Sequence, residues 1–442
     1  MANPLTEGSI WKNILTFSLP YLCSYFLQTL YGMADLFIIG QYEGPASITG
    51  VAIGSQVMHM LTVMIVGLAM GTTVNIGQAV GAGDRKKAGQ IIGNTVTLFM
   101  VLSVVAAGIL TLLVGRITGA MSTPVEAVKG AKDYLTICFI GIPAITAYNI
   151  ISAIFRGMGN SKSPMYFVAV ACVANIVLDI LFMGPMHMGP AGAALGTTLS
   201  QTISVIISLI MIRRSAMGIS VTREDFAIHG DVLKKILRIG VPVAIQDGFI
   251  QISFLTITAI ANGRGLIDAA AVGIVEKIIS FIFLVPSSML STVSALGAIN
   301  IGAGKGDRAR QILWDAIKLV SAFGVAIAII VEFTAPHWVA LFTGDAQVIH
   351  AGGEYFQGYI FDAFFAGIHF SFSGYFCAIG RSELSFLHNA IAIVTARLPL
   401  AYLASAMFPE TLLPMGIATA IGSMESAGIC GFLYWRLARK GH

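Results

Sequence analysis

The sequence predicts an all-α integral membrane protein of about twelve transmembrane helices, arranged as two six-helix lobes that repeat in parallel. Three observations lead there. Of 442 residues, 56% are hydrophobic and only 11% charged, and mean hydropathy is +0.83, so a water-soluble fold could not cover its apolar surface. The apolar residues fall in long runs rather than in alternating ten-residue strands, which selects a helical bundle over a barrel. The chain also resembles itself at a shift of about 222 residues.

A span needs roughly 20 mostly apolar residues to cross a hydrocarbon core about 30 Å thick. On that basis helices are predicted near 14–39, 47–74, 91–113, 132–155, 164–184, 190–212, 235–261, 269–297, 312–334, 352–378, 384–406 and 413–436. The amino terminus, MANPLTEGSIWKN, lacks the basic stretch, short apolar core and cleavage site of a signal peptide, so the first run reads as a retained helix. Lys and Arg fix the orientation. With a cytoplasmic amino terminus, the inner segments hold Arg85-Lys86-Lys87, Arg213-Arg214, Lys234-Lys235 and Arg436, Arg439 and Lys440 among others, and the outer loops only Arg116, Lys129, Lys132 and Arg264. Both termini are expected on the cytoplasmic side of the cell's inner (plasma) membrane.

The repeat is visible at three places. Asn75-Ile-Gly-Gln-Ala-Val-Gly-Ala-Gly-Asp84-Arg85 answers Asn300-Ile-Gly-Ala-Gly-Lys-Gly-Asp307-Arg308. Ile14, Leu15 and Pro20 answer Ile236, Leu237 and Pro242, and Phe155, Gly159 and Ser161 answer Phe376, Gly380 and Ser382. An even number of spans per copy makes the copies parallel, the plan of a carrier that works by alternating access. The expected division is 1–213 for the amino-terminal lobe, 214–234 for a cytoplasmic linker and 235–442 for the carboxy-terminal lobe.

An ionisable group at mid-span costs some 2.5–3.5 kcal/mol on insertion scales and calls for an explanation. Asp35 and Asp179 each lie five residues before a helix-ending glycine, Gly40 and Gly184, on helices of the same direction, and so at matching depth. Asn175 precedes Asp179 by one turn on the same face. Thr197 and Thr198 reach a similar depth on the sixth helix. Two carboxylates, an amide and a hydroxyl suit a proton or a hard monovalent cation such as Na⁺; the alternative is that both aspartates cap or pair with neighbouring helices. In the second half the same register holds Ile257 or Thr258 opposite Asp35 and Arg397 opposite Asn175, which confines this site to the first half.

Other polar residues within predicted spans are Gln246, Asp247 and Gln251 on helix seven, Glu276 and Lys277 on helix eight, and Asp362 and His369 on helix ten. Gln246, Gln251, Asp247 and Asp362 are candidate substrate-cavity residues; interhelical hydrogen bonding is the competing role. Helix ten carries Phe356, Tyr359, Phe361, Phe364, Phe365, Phe370 and Phe372, which suit lipophilic organic cations but equally fill cores.

Gly302-Ala-Gly-Lys305-Gly306 lacks the spacing of a phosphate-binding loop. No zinc-protease, paired-cysteine or serine-nucleophile motif occurs, and five scattered cysteines suggest neither metal nor disulfide. A transporter driven by an ion gradient, with no cofactor and no nucleic-acid partner, is expected rather than an enzyme.

Tyr31-Gly-Met-Ala-Asp35-Leu-Phe-Ile-Ile-Gly40, the Gly-Gln-Ala-Val-Gly-Ala-Gly-Asp-Arg turn, Phe155-Arg-Gly-Met-Gly-Asn160, Asn175-Ile-Val-Leu-Asp179 and Gly192-Ala-Ala-Leu-Gly-Thr197 resemble the multidrug and toxic compound extrusion family over essentially the whole chain. The resemblance implies export of small organic compounds in exchange for H⁺ or Na⁺ by a monomeric, two-lobed transporter, with Asp35, Asn175, Asp179 and Thr197 as the cation site. It also implies bending at Pro20, where a missing N–H weakens the helix. The carboxylate that some relatives carry in mid-helix seven has no evident match, since Asp247 is placed near the start of the predicted 235–261 helix. A flippase of lipid-linked glycans is the alternative; it would want inward cations, and only Lys277, Lys318 and Arg397 are candidates.

Overall fold

The computed structural model describes residues 4–214, 219 and 221–439. Twelve helical rods follow one another among these residues, each overlying one predicted span. They are α1 (Ile10–Tyr42), α2 (Pro45–Gly81), α3 (Arg85–Ala120), α4 (Val125–Ile140 and Ile142–Gly157), α5 (Lys162–Met183) and α6 (Gly189–Arg214). The second set is α7 (Gly230–Asn262), α8 (Leu266–Ile282 and Leu284–Gly302), α9 (Gly306–Ala340), α10 (Ala346–Tyr359 and Phe361–Ala378), α11 (382–407) and α12 (Leu413–Arg439). By length and apolar content ten of them can cross a bilayer, and α4 makes eleven when its halves, bent by 53°, count as one span. The remaining rod, α10, carries His350, Glu354 and Gln357 in its first half. Its Tyr355, Phe356 and Tyr359 are fully buried among protein side chains, so this rod meets less lipid and tolerates polar residues.

Prolines account for most of the irregularities. Pro143 opens the second half of α4 and Pro286 that of α8, and each lacks the N–H that would continue the ladder. In α11 the turn Ile393–Arg397 widens to a π-helix just before Pro399. Pro20, by contrast, lies within an unbroken α1, where the hydroxyl of Ser24 donates to its carbonyl at 2.8 Å.

The repeat is written into four turns. After α2, α4, α8 and α10 a glycine with φ between 74° and 85° (Gly83, Gly159, Gly304, Gly380) ends the helix. Each following N–H reaches back five residues: Asp84 to Ala79, Asn160 to Phe155, Lys305 to Asn300 and Arg381 to Phe376, at 2.8–2.9 Å. This double-bonded end needs a residue that tolerates left-handed backbone.

By contacts the chain forms two compact units, Leu19–Ala244 and the residues up to Ser18 joined to Ile245 onward. These boundaries differ from the expected 213 and 235, because they fall inside α1 and α7, two residues from Pro20 and Pro242. In the first unit α2 packs on both halves of α4, and α5 pairs with α6; the start of α7 lies so close to α2 that a Cβ on Gly71 would meet the carbonyl of Ile236 at 2.1 Å. The Asn75 amide donates to the Lys235 carbonyl at 3.3 Å. In the second unit the second half of α8 packs on α10, with α9 and α12 alongside. There Asn300 donates to the Leu5 carbonyl at 3.3 Å and Lys305 to that of Thr6 at 2.9 Å. Each unit thus holds the leading end of the other repeat's first helix.

The described part of the linker docks on α3. Thr222 and Asp225 form a reciprocal cap, and Asn94 donates to the Asp225 carbonyl at 3.0 Å and accepts from the His229 N–H at 2.8 Å. The Thr222 backbone N–H holds the Asp225 carboxyl below its ordinary range, with the Thr222 hydroxyl adding to the effect.

Candidate functional site

Three helices of the first unit converge on one polar cluster. Asp35 comes from α1, Asn175 and Asp179 from successive turns of α5, and Thr197 from α6; the first three are buried. Asp35, Asn175 and Asp179 face one another closely enough to interact. The Thr197 hydroxyl lies 3.1 Å from Asp35 Oδ2 and equally 3.1 Å from the Ala193 carbonyl, so its single proton serves one or the other. Asp35 Oδ1, both Asp179 oxygens and both ends of the Asn175 amide are buried without a hydrogen-bond partner, as is the Thr198 hydroxyl.

Leaving that many buried polar atoms unsatisfied is costly, at roughly 1–3 kcal/mol each and more for charged groups. The donor set is carboxylate, amide and hydroxyl oxygen, which fits a proton or a hard monovalent cation and does not fit a soft metal. Either would relieve the repulsion between the two carboxylates that face each other in a low-dielectric interior.

The structure adds residues that sequence reasoning passed over. Gly196 lets α6 approach the site: a Cβ there would meet Asp179 Oδ1 at 1.9 Å. Its signal was local, a small residue one position before Thr197. Tyr134 and Cys138, one turn apart on α4, are buried within electrostatic range of Asp35. Gly141, at the α4 bend, gives way to Thr198, whose Cγ2 would stand 2.3 Å from a Cβ there.

The candidates of the second repeat lie on α7 and α10, with the following neighbours. Gln246 is buried and accepts from the Ser385 hydroxyl at 2.6 Å, the role of an interhelical bond. Asp362 is paired with Arg397 at 3.5 Å. Gln251 is half-buried further along α7. Asp247 lies near Cys377 and, because α7 begins at Gly230, sits in the middle of that helix; its expected place near the start is corrected. His369 is buried, its ring 5.6 Å from that of His388, which bridges the hydroxyls of Ser373 and Ser426 at 2.8 and 2.7 Å. Several α10 aromatics build core: Phe356 and Tyr359 are fully buried, Phe372 packs edge-on to Trp314, and Phe361 is exposed.

The MatE family model matches the chain twice, over residues 20–181 and 242–403. The chain belongs to the MatE family. The two matches have equal length and start 222 residues apart, the shift read from the sequence. Among relatives of this MatE protein is the probable multidrug resistance protein YpnP of Bacillus subtilis, 28% identical over 444 residues, covering 99% of this chain and 97% of the relative. The probable multidrug resistance protein NorM of Thermotoga maritima is 28% identical over 418 residues, covering 91% and 88%. Among solved structures, an outward-facing multidrug resistance MATE family transporter of the MOP superfamily superposes with a TM-score of 0.92 at 23% identity, covering 100% of this chain and 98% of that one. A MOP superfamily transporter from Pyrococcus furiosus superposes at 0.91 and 24% identity, covering 98% and 97%. At such identities the superpositions establish the two-lobed MATE fold.

Proposed function

We propose that this MatE protein is a multidrug efflux transporter that exports organic, often cationic, compounds in exchange for H⁺ or Na⁺. The observation that carries the coupling is the buried pair Asp35 and Asp179, with Asn175 and no paired side-chain cation among the described residues. Multidrug resistance is what the names of its relatives indicate for those proteins. Ion entry at Asp35 and Asp179 and substrate binding are mutually exclusive, so an inward ion gradient expels substrate. Pro20 provides the point in α1 where the helix yields, since its ring supplies no N–H to the ladder. The protein works as a monomer in the cell membrane with both termini cytoplasmic, in keeping with the distribution of Lys and Arg.

The flippase alternative is disfavoured by how the second repeat uses its cations. Arg397 is committed to Asp362 and Tyr359, and Lys318 to Asp315 at 3.1 Å, which leaves little for a pyrophosphate.

The test is efflux of a fluorescent lipophilic cation from proteoliposomes under separately imposed proton and sodium gradients. One gradient should drive efflux, and Asp35→Asn and Asp179→Asn should each abolish it in folded protein. Unchanged efflux in either variant would sink the coupling role, and no dye movement under either gradient would sink the substrate class.

A further inference from the structure

Arg156 takes no part in the cluster at Asp35 and Asp179, yet it is buried. It sits in the last turn of α4, at the end of the first lobe that the distribution of Lys and Arg assigns to the cytoplasmic side. Its guanidinium carbon lies 4.5 Å from the centroid of the Tyr21 ring, and no carboxylate pairs with it among the described residues. The backbone beside it is held in place, since a Cβ on Gly157 would meet the Thr73 carbonyl at 2.8 Å. Burying a cation without an anion is costly. The negative end of α4 and one aromatic face offset only part of that cost, so this residue calls for a role that needs its charge.

That role lies along α1. Tyr21, Tyr25, Gln28, Tyr31 and Asp35 recur at intervals of three and four residues and so share one face of the helix. The Tyr21 and Tyr25 rings are 6.1 Å apart. Gln28 donates to the Tyr148 hydroxyl at 3.4 Å, and Gln201 to that of Tyr31, also at 3.4 Å. Gln201 Oε1 is buried without a hydrogen-bond partner, an open acceptor on the same path. Tyr31 is within electrostatic range of both Asp35 and Tyr148, and Tyr148 within range of Arg156. A polar path thus runs from Asp35 to Arg156 beside about 21 Å of helix, at 1.5 Å per residue.

In the second repeat the path and the cation are missing together. At the shift of 222 residues Tyr21, Gln28 and Asp35 become Val243, Ile250 and Ile257. At 221, the shift that sets Phe155 against Phe376, Arg156 becomes Cys377. The guanidinium therefore accompanies the polar face of the first helix. A fixed positive charge at the end of a polar path repels Na⁺ and hydronium alike, as charged constrictions do in selective pores.

We propose that Arg156 is an electrostatic barrier at the cytoplasmic end of the polar face of α1, which stops cations at Asp35 from leaking along that face without exchange for substrate. This rests on the coupling role of Asp35 and Asp179 proposed above.

The experiment measures passive cation entry into proteoliposomes of the full-length protein with no organic substrate present. Radioactive sodium uptake is followed under a Na⁺ gradient and internal acidification under a proton gradient, with the membrane potential clamped. Wild type should stay near the level of empty liposomes. Arg156→Gln should raise entry of the coupling ion at least about tenfold, the factor for a barrier lowered by about 1.4 kcal/mol. Arg156→Lys keeps the charge and should stay low, and adding Asp35→Asn to Arg156→Gln should abolish the leak. Arg156→Met should leak like Arg156→Gln and takes its place if that variant does not fold. An unchanged leak in the neutral variants, an equal rise in Arg156→Lys, or a leak that survives Asp35→Asn would each overturn the proposal. The coupling reading fails on a different result, dye efflux by the single Asp35→Asn variant equal to that of wild type.

Discussion

In the first lobe Asp35, Asn175 and Asp179 meet with no side-chain cation in their midst among the described residues, whereas in the second the register of Asn175 is filled by Arg397, reaching Asp362 and Tyr359. The first draws on α1, α5 and α6 and the second on α8, α10 and α11, and both leave carboxylate oxygens unpartnered. At the register they share, the amide of Asn175 is replaced by the guanidinium of Arg397. An amide supplies dipoles and leaves the countercharge to an exchangeable ion; a guanidinium supplies the countercharge permanently. Parallel repeats can thus keep one helical plan while filling a shared register with groups of different charge.

The sharpest way to break this comparison is to neutralise the first cluster. Asp35→Asn or Asp179→Asn should reduce ion-driven dye efflux to the level of empty liposomes, with a normal gel-filtration profile to show that folding survives. Next in size is Arg397→Met, which leaves Asp362 buried without its cation and should destabilise the second lobe by about 3–5 kcal/mol, read as a large fall in thermal midpoint. Recovery in Arg397→Met with Asp362→Asn would show that the loss is electrostatic.

A finer probe is Gly196→Ala. The added methyl would press on Asp179 Oδ1, at an overpacking cost of about 1–3 kcal/mol. If the strain falls on the ion-bound geometry, the ion concentration for half-maximal efflux rises about tenfold for every 1.4 kcal/mol; an unchanged value would show that α6 can move aside. Ser385→Ala, outside both clusters, should cost about 1 kcal/mol by orphaning the Gln246 acceptor, with ion dependence unaltered. The smallest effect concerns the linker. Because Asp225 is held below its ordinary range in the docked state, its contribution is present above the unfolded value of about 3.9 and is lost as pH falls through the lower folded value. Limited proteolysis of the linker should therefore accelerate only in strongly acidic buffer, and Asp225→Asn should remove that dependence.

Much of the fold was legible because membrane insertion enforces it: a span must be long and apolar, and a repeat shows as a shift in sequence. Four left-handed glycines at matched positions, Gly83, Gly159, Gly304 and Gly380, carry the repeat into backbone geometry. Asp35, Asn175, Asp179 and Thr197 were legible too, since buried charge in an apolar run is conspicuous and one helical turn aligns Asn175 with Asp179. The division at 213 and 235 was read from composition, and composition does not report that α1 and α7 each begin on the other repeat. Asp247 was misplaced along its helix because helix starts depend on local hydrogen bonding that a hydropathy run does not mark.

By itself the sequence determined the solvent, the count and order of the helices, the twofold repeat and the presence of a carboxylate pair, all of which follow from composition, length and spacing. Only the tertiary structure decided which groups meet. Gly196 admits Asp179 through a contact between helices, Arg397 finds Asp362 across α10 and α11, and Gln246 accepts from Ser385 on α11. The reason is physical: spacing along one helix fixes a face, but which face another helix presents to it depends on packing between segments far apart in the chain.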